Sequence, residues 1–138
     1  MHVSAYLIQI AALLLENLPS IPSYDTDTQK RHATQAVQSI IFYLQSHYHE
    51  QITLDKAAVM AGYEKTYFCQ LFKEVTGTTF HQYITGRRLE ESIHLLRDTS
   101  LPISSIAQSV GIPNNKTFSR LIKQQYGVSP KEIREKNT

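Results

Sequence analysis

The sequence predicts an all-α chain. Apolar residues recur at steps of three and four along most of it, and each such run stops at a glycine or a proline. No apolar/polar alternation survives for more than a few residues, so the strand signal is weak throughout. A stretch of helix, glycine turn and helix also occurs twice, offset by 49 to 50 residues.

The elements follow in order. Val3, Leu7, Ile10, Leu14 and Leu18 are spaced by 4, 3, 4 and 4, one stripe of a helix over about 3–18. That helix packs either on its own domain or on a partner chain or upstream domain; its high apolar content calls for something large beside it. Two prolines, two serines and two aspartates follow, and residues 19–30 read as a linker and a domain boundary. A helix is expected over 34–48, with Val37, Ile40, Ile41 and Leu44 at i, i+3, i+4 and i+7, and Tyr48 after them. Thr53 is a good N-cap for a short helix over 54–61, with Asp55 in its positive first turn and Gly62 at its end. Further helices are expected over 65–76, stopped by Gly77, and over 80–98. Beyond Pro102, they are expected from Ile103 or Ser104 to Val110, ended by Gly111, and to about Tyr126, ended by Gly127.

Bulk properties narrow the class. The 138 residues suffice for one domain or a compact pair of subdomains. With 41% apolar and 19% charged residues, the chain is neither disordered, collagen-like nor supercharged. The sole cysteine, Cys69, excludes an internal disulfide framework and a CxxC zinc site, and fits a reducing compartment. The apolar run over 6–15 is broken by Gln9 and falls short of the roughly 18–20 residues that span a bilayer. No lysine or arginine precedes it, against a signal peptide. The expected protein is soluble and cytoplasmic, with no membrane partner.

The repeat carries the functional argument. Ala58-x-x-x-Gly62 matches Ala107-x-x-x-Gly111. Past the turn, Phe68, Leu71, Lys73 and Gly77 match Phe118, Leu121, Lys123 and Gly127, with one residue inserted at Pro113-Asn114-Asn115. Each copy is a helix-turn-helix. Small Ala58 and Ala107 suit a close helix crossing, and Gly62 and Gly111 suit a turn of positive φ. Phe68, Leu71 and Phe72 anchor the second helix of the first copy; Phe118, Leu121 and Ile122 anchor that of the second. This leaves Lys65, Thr66, Cys69, Gln70 and Lys73 exposed in one copy, and Asn115, Lys116, Ser119, Arg120 and Lys123 in the other.

Those side chains suit DNA. Arg120 is able to make two bonds to a guanine edge, and Gln70 and Asn115 to adenine. Lys73, Lys116 and Lys123 suit phosphates. The bland alternative is two ordinary solvated helix faces. One such turn is common by chance; two in register, with the same anchors and the same terminating glycine, are far more specific.

The net charge of +2 hides an asymmetry. Segments 1–31, 32–76, 77–98 and 99–138 carry −1, −1, 0 and +4. The excess lies on the second repeat and its tail, at Lys131, Arg134 and Lys136, so the second unit is expected to grip electrostatically and the first to read more lightly. The 19 residues of 80–98 span about 28 Å as a helix, against roughly 34 Å between successive major grooves on one face of B-DNA. Tyr83, Ile84, Leu89, Ile93 and Leu96 supply its buried contacts. Arg87 and Arg88 are expected to be solvated or paired with Glu90 and Glu91.

From about residue 33 to 136 the chain resembles the DNA-binding domain of AraC/XylS-type transcription regulators. The resemblance rests on Ile52-Thr53-Leu54-Asp55-Lys56-Ala57-Ala58, the stretch from Tyr67 to Gly77, Arg88-Leu89, Leu101-Pro102-Ile103-Ser104-Ser105-Ile106-Ala107, Phe118 to Lys123, and Tyr126-Gly127-Val128-Ser129-Pro130. It implies a homeodomain-like pair of helix-turn-helix units, seven helices, and sequence-specific promoter binding in bacteria. Its recognition helices match residues 65–73 and 115–123. It also implies that residues 1–30 are the end of an upstream sensing or dimerisation region. Residues 31–138 are then the DNA-binding domain, divided as 31–79, 80–98 and 99–138. Double-stranded promoter or operator DNA is the expected partner. RNA polymerase and a second copy, joined through the N-terminal helix or an absent domain, are further candidates. No cofactor is expected. Ile112, Ile122 and Ile133-Arg134 depart from the family pattern by apolar swaps. Cys69 stands where a polar base-reading side chain is common, and a thiol is a poor donor.

Two other classes compete. His47-x-His49 near Glu50 hints at a metal enzyme, but i and i+2 on a helix do not converge, and a site takes three or four ligands. Cys69 as a nucleophile lacks a visible activating partner. No catalytic or metal residue is therefore expected. An interaction module rests on the N-terminal stripe alone and accompanies DNA binding rather than replacing it.

Overall fold

The computed structural model describes residues 22–136, with side chains from residue 27 onward. Within it lie seven helices: α1 (Pro22–His47), α2 (Leu54–Ala61), α3 (Lys65–Thr76), α4 (Phe80–Asp98), α5 (Ile103–Ser109), α6 (Asn115–Tyr126) and α7 (Pro130–Lys136). The described residues contain no strand, so the all-α expectation holds. The apolar helix expected over 3–18 lies outside the described residues.

The linker expected over 19–30 is corrected from Pro22 on, because α1 runs unbroken from there to His47. Proline fits the first helical position, where φ near −65° is already helical and the missing N–H has no partner to lose. Polar residues further along bond back to their own helix: the Thr34 hydroxyl donates to Lys30 O at 2.9 Å, and the Ser39 hydroxyl to Gln35 O at 3.0 Å. Ala33, Ala36, Val37, Ile40 and Leu44 bury the inner face and anchor the helix; once nucleated, it extends toward its start at little cost.

The other ends fall where the punctuation placed them. Thr53 accepts from Lys56 N at 3.1 Å and caps α2. Thr79 and Gln82 form a reciprocal capping box at the start of α4. Gly62, Gly77, Gly111 and Gly127 all sit at positive φ, between 79° and 93°. α7 has no apolar periodicity long enough to announce it. Its signal is the cap: Ser129 accepts from Glu132 N at 3.2 Å, and Pro130 occupies the first position. Thr79-x-x-Gln82 and Ser129-x-x-Glu132 lie 50 residues apart, so the internal repeat extends into the helix after each unit.

Two cores result. One joins α1, α2 and α3 to the start of α4, through Phe68, Phe72, Phe80 and Ile84 among others. The other joins the rest of α4 to α5, α6 and α7, through Leu89, Leu96, Ile106, Phe118, Ile122 and Ile133. Among the described residues, helix α4 is the one element that contributes buried side chains to both. Ala58 and Ala107 are buried, as a close crossing requires. Among the described residues, no helix is long and apolar enough to cross a membrane.

Candidate nucleic-acid interface

Each recognition helix is held from behind and left open in front. On α3, Phe68, Leu71 and Phe72 are buried, while Lys65, Thr66, Gln70 and Lys73 are exposed and Cys69 is half-buried. On α6, Phe118 and Ile122 are buried, while Asn115, Lys116, Arg120 and Lys123 are exposed and Ser119 is half-buried. Leu121, expected as an anchor, is only half-buried at the edge of its core. Each set of five thus lies on one outward face of one helix, at the spacing that a groove-reading helix uses.

The two faces differ electrostatically, and more than formal charge suggests. The N-cap of α3 is Glu64, whose carboxylate accepts from Thr66 N at 3.0 Å and Tyr67 N at 3.1 Å. Those backbone bonds hold it below the ordinary carboxylate range, so it stays ionised at neutral pH. Because its pKa is lowered on folding, its stabilising effect is full at neutral pH and is lost as the pH falls through that lowered value. Beside it, Lys65 pairs with Asp55 at 3.3 Å, with both side chains more than half exposed. The N-cap of α6 is instead the neutral Asn114, which accepts from Thr117 N at 3.0 Å. Among the described residues, Lys116, Arg120 and Lys123 form no ion pair. The first head therefore carries an anion at its tip and a partly neutralised lysine. The second presents three unpaired cations.

Arg87 pairs with Glu91 at 3.2 Å, as expected, and it also donates to Gln45 Oε1 at 3.0 Å and Gln45 O at 3.1 Å and lies over the Tyr48 ring. Other side chains are used otherwise than expected. Arg88 is half-buried and is not paired with a carboxylate: it donates to Tyr48 O at 2.6 Å and Glu50 O at 2.7 Å. Burial pulls its guanidinium below the usual arginine value, though it remains charged. Arg134, counted in the basic tail, donates to Leu96 O and Thr99 O, both at 3.3 Å, and closes the end of α4. Lys131 and Lys136 remain exposed there. His47 stacks on Tyr43 at 3.9 Å and bonds Tyr43 O through Nδ1. The described residues bring no three His, Cys, Asp or Glu side chains together in a metal-binding arrangement.

Sequence reasoning missed Glu64 and Asn114 as caps; their position just before each recognition helix, three residues ahead of Tyr67 and Thr117, was the available signal. Arg88 had no local signal, since its acceptors are carbonyls about forty residues away in the chain.

Comparison with known proteins agrees with this geometry. A helix-turn-helix domain family matches residues 57–136. Regulatory protein SoxS of Escherichia coli (strain K12) is 33% identical over 100 residues, covering 72% of this chain and 94% of SoxS. The right origin-binding protein of Escherichia coli (strain K12) is 35% identical over 94 residues, 68% of this chain; the match spans 32% of that longer relative. The solved C-terminal domain of AraT, a response regulator from Geobacillus stearothermophilus, superposes with a TM-score of 0.70 at 31% identity, over 73% of this chain and 84% of that one. With a family match over more than half of its length and a relative matched almost end to end, the chain belongs to the AraC/XylS-type family of helix-turn-helix, DNA-binding transcription regulators.

Proposed function

We propose that this chain reads a promoter by inserting α3 and α6 into successive major grooves on one face of the duplex. The observation that carries the reading is the pair of matched outward faces, each fixed by its own buried core to the shared helix α4. At 19 residues, α4 spans about 28 Å, commensurate with the groove repeat. Arg120 is assigned to a guanine edge, Gln70 and Asn115 to adenine edges, and Cys69 to a thymine methyl. Lys73, Lys116 and Lys123 take phosphates, with Lys65, Thr66 and Ser119 completing the faces. The DNA-binding part runs from α1, which starts at Pro22, through residue 138, and the residues ahead of α1 are the end of an upstream sensing or dimerisation region. Such a protein works in the bacterial cytoplasm, with RNA polymerase and a second copy as partners, and catalyses nothing.

Selection of bound duplex from a random pool, with binding measured across salt concentration, tests this. Two half-sites about one helical turn apart are the expected result. Absence of any enrichment at low salt would overturn the reading in favour of an interaction module.

Two variants probe the electrostatic asymmetry. Lys123→Ala should weaken all sequences alike and lower the slope of log K against log salt by about one, since one phosphate is left without its cation. Glu64→Asn keeps an N-cap while removing the anion at the tip of α3. It should tighten binding several-fold at low salt, with the gain fading as salt screens the phosphates. A titration of both variants at three salt concentrations reads both effects.

A further inference from the structure

The two cores meet along α4, and Arg88 bonds across the crossing from beside the turn of the second unit. Helix α4 passes from the first core to the second after Ile84. Gly86 lies at this crossing, with open space where a Cβ would be. Glycine is the poorest helix former after proline, so α4 alone is weakest where it would have to be stiffest. Two residues later, Arg88 reaches across to the connector after α1 and bonds Tyr48 O at 2.6 Å and Glu50 O at 2.7 Å. These are short, charge-assisted bonds in a half-buried setting, and the planar guanidinium fixes direction as well as distance. The turn of the second unit is seated on the same group. A Cβ on Gly111 would lie 2.8 Å from His49 O and 3.0 Å from Arg88 Nε, so glycine is required there by close packing as well as by its φ of +93°. Gln51 Nε2 also reaches Gly111 O, at the long limit of 3.5 Å. The Tyr48 ring, although it follows the scaffold helix of the first unit, packs into the second core.

We infer that Arg88 is a positioning residue that splices the two units into one rigid reader, and so sets the spacing of half-sites the protein accepts. Arg88 faces a carbonyl pair on one side and the Gly111 turn on the other, so it acts through the relative placement of α3 and α6 and touches no base. A rigid connector favours one separation strongly; a loose one tolerates several and loses the advantage of simultaneous engagement. Each base pair inserted between half-sites moves one by about 3.4 Å and turns it by roughly 35°. A spliced reader cannot follow such a change.

The inference rests on the two-groove reading for its consequence but not for its geometry, and the test separates them. Spin labels on the full chain carrying Cys69→Ser, Gln70→Cys and Gln124→Cys report the separation of α3 and α6 without DNA. One narrow distance distribution is expected, broadened about twofold by Arg88→Ala and less by Arg88→Lys, which retains the charge but not the two-pronged grip. Equal widths in all three proteins would overturn the splice. If Arg88→Ala does not fold, as judged by helix content and melting, Arg88→Lys alone decides on the same criterion. In the second arm, duplexes selected by the unmodified protein are lengthened by one base pair between half-sites. The unmodified protein should lose about tenfold or more, and the Arg88 variants should discriminate the two lengths by only about twofold. Unchanged discrimination would refute the role in spacing. Selection of a single half-site by the unmodified protein would refute the two-groove reading, whatever the label distances show.

Discussion

Phe72→Ala is expected to cost about 3–5 kcal/mol of folding stability, a large share of the roughly 5–15 kcal/mol that holds a domain together. Phe72 is fully buried, and its ring meets those of Phe68, Phe80 and Tyr83 at centroid distances of 5.9, 5.6 and 5.5 Å, the last two edge-to-face. Truncation would leave a cavity walled by rings on different helices that cannot close up together. The damage should also be unequal. Phe72 belongs to the first core, and nothing in the second core, around Phe118, leans on it. Amide exchange should therefore rise most in α1, α2 and α3, and least in α5, α6 and α7. Urea unfolding should show the lowered midpoint. Binding should fall toward that of the second unit alone, because α3 loses its backing while α6 keeps its own.

The separation of cores explains how much was legible in the sequence. Helix ends were readable because each depends on one or two neighbouring residues: Thr53 accepts from a backbone N–H three residues on, and the terminating glycines alone adopt positive φ at no steric cost. The outward faces of α3 and α6 were readable because buried apolar anchors at helical spacing, Phe68, Leu71 and Phe72 on one and Phe118 and Ile122 on the other, dictate which residues remain in front. The start of α1 was not, because prolines, serines and aspartates suit a linker and a helix start equally well. The choice was made downstream by the buried face from Ala33 to Leu44. Helix α7 escaped because seven residues are too few to show a period, although its N-cap Ser129 and first-position Pro130 were in plain view. The uses of Arg88 and Arg134 were not legible at all. Their acceptors are backbone carbonyls, which carry no residue identity and lie 35 to 40 positions away. The weak electrostatics of the first head were half legible: its net charge of −1 could be counted, but not that Glu64 sits at the helix tip or that Asp55 engages Lys65.

Arg120→Ala is expected to cost about 1–3 kcal/mol of binding on the selected site, roughly 5- to 150-fold, and to relax one base position. Arg120 is exposed on α6, forms no ion pair among the described residues, and lies one helical turn from Lys116 on the same face. Its removal should therefore leave the melting temperature nearly unchanged, so the loss reads as binding and not as unfolding. Lysine offers a useful second comparison. Arg120→Lys keeps the charge, and hence the salt slope, but loses the two-pronged fit to a guanine edge. If Arg120 reads a base, lysine should recover affinity for all sequences while leaving the position relaxed. If Arg120 only neutralises a phosphate, lysine should restore everything, and Arg120→Ala should lower the salt slope by about one with no change in preference. Repeating the random-pool selection with both variants, alongside titrations at two salt concentrations, distinguishes these outcomes at a single residue. The same pair of substitutions also calibrates the asymmetry of the two heads. If the proposed roles hold, Arg120→Ala should relax sequence without releasing the DNA, because Lys116 and Lys123 remain on α6. Gln70→Ala should cost relatively more, because on α3 the Glu64 carboxylate and the Lys65–Asp55 pair leave Lys73 as the main cation behind it.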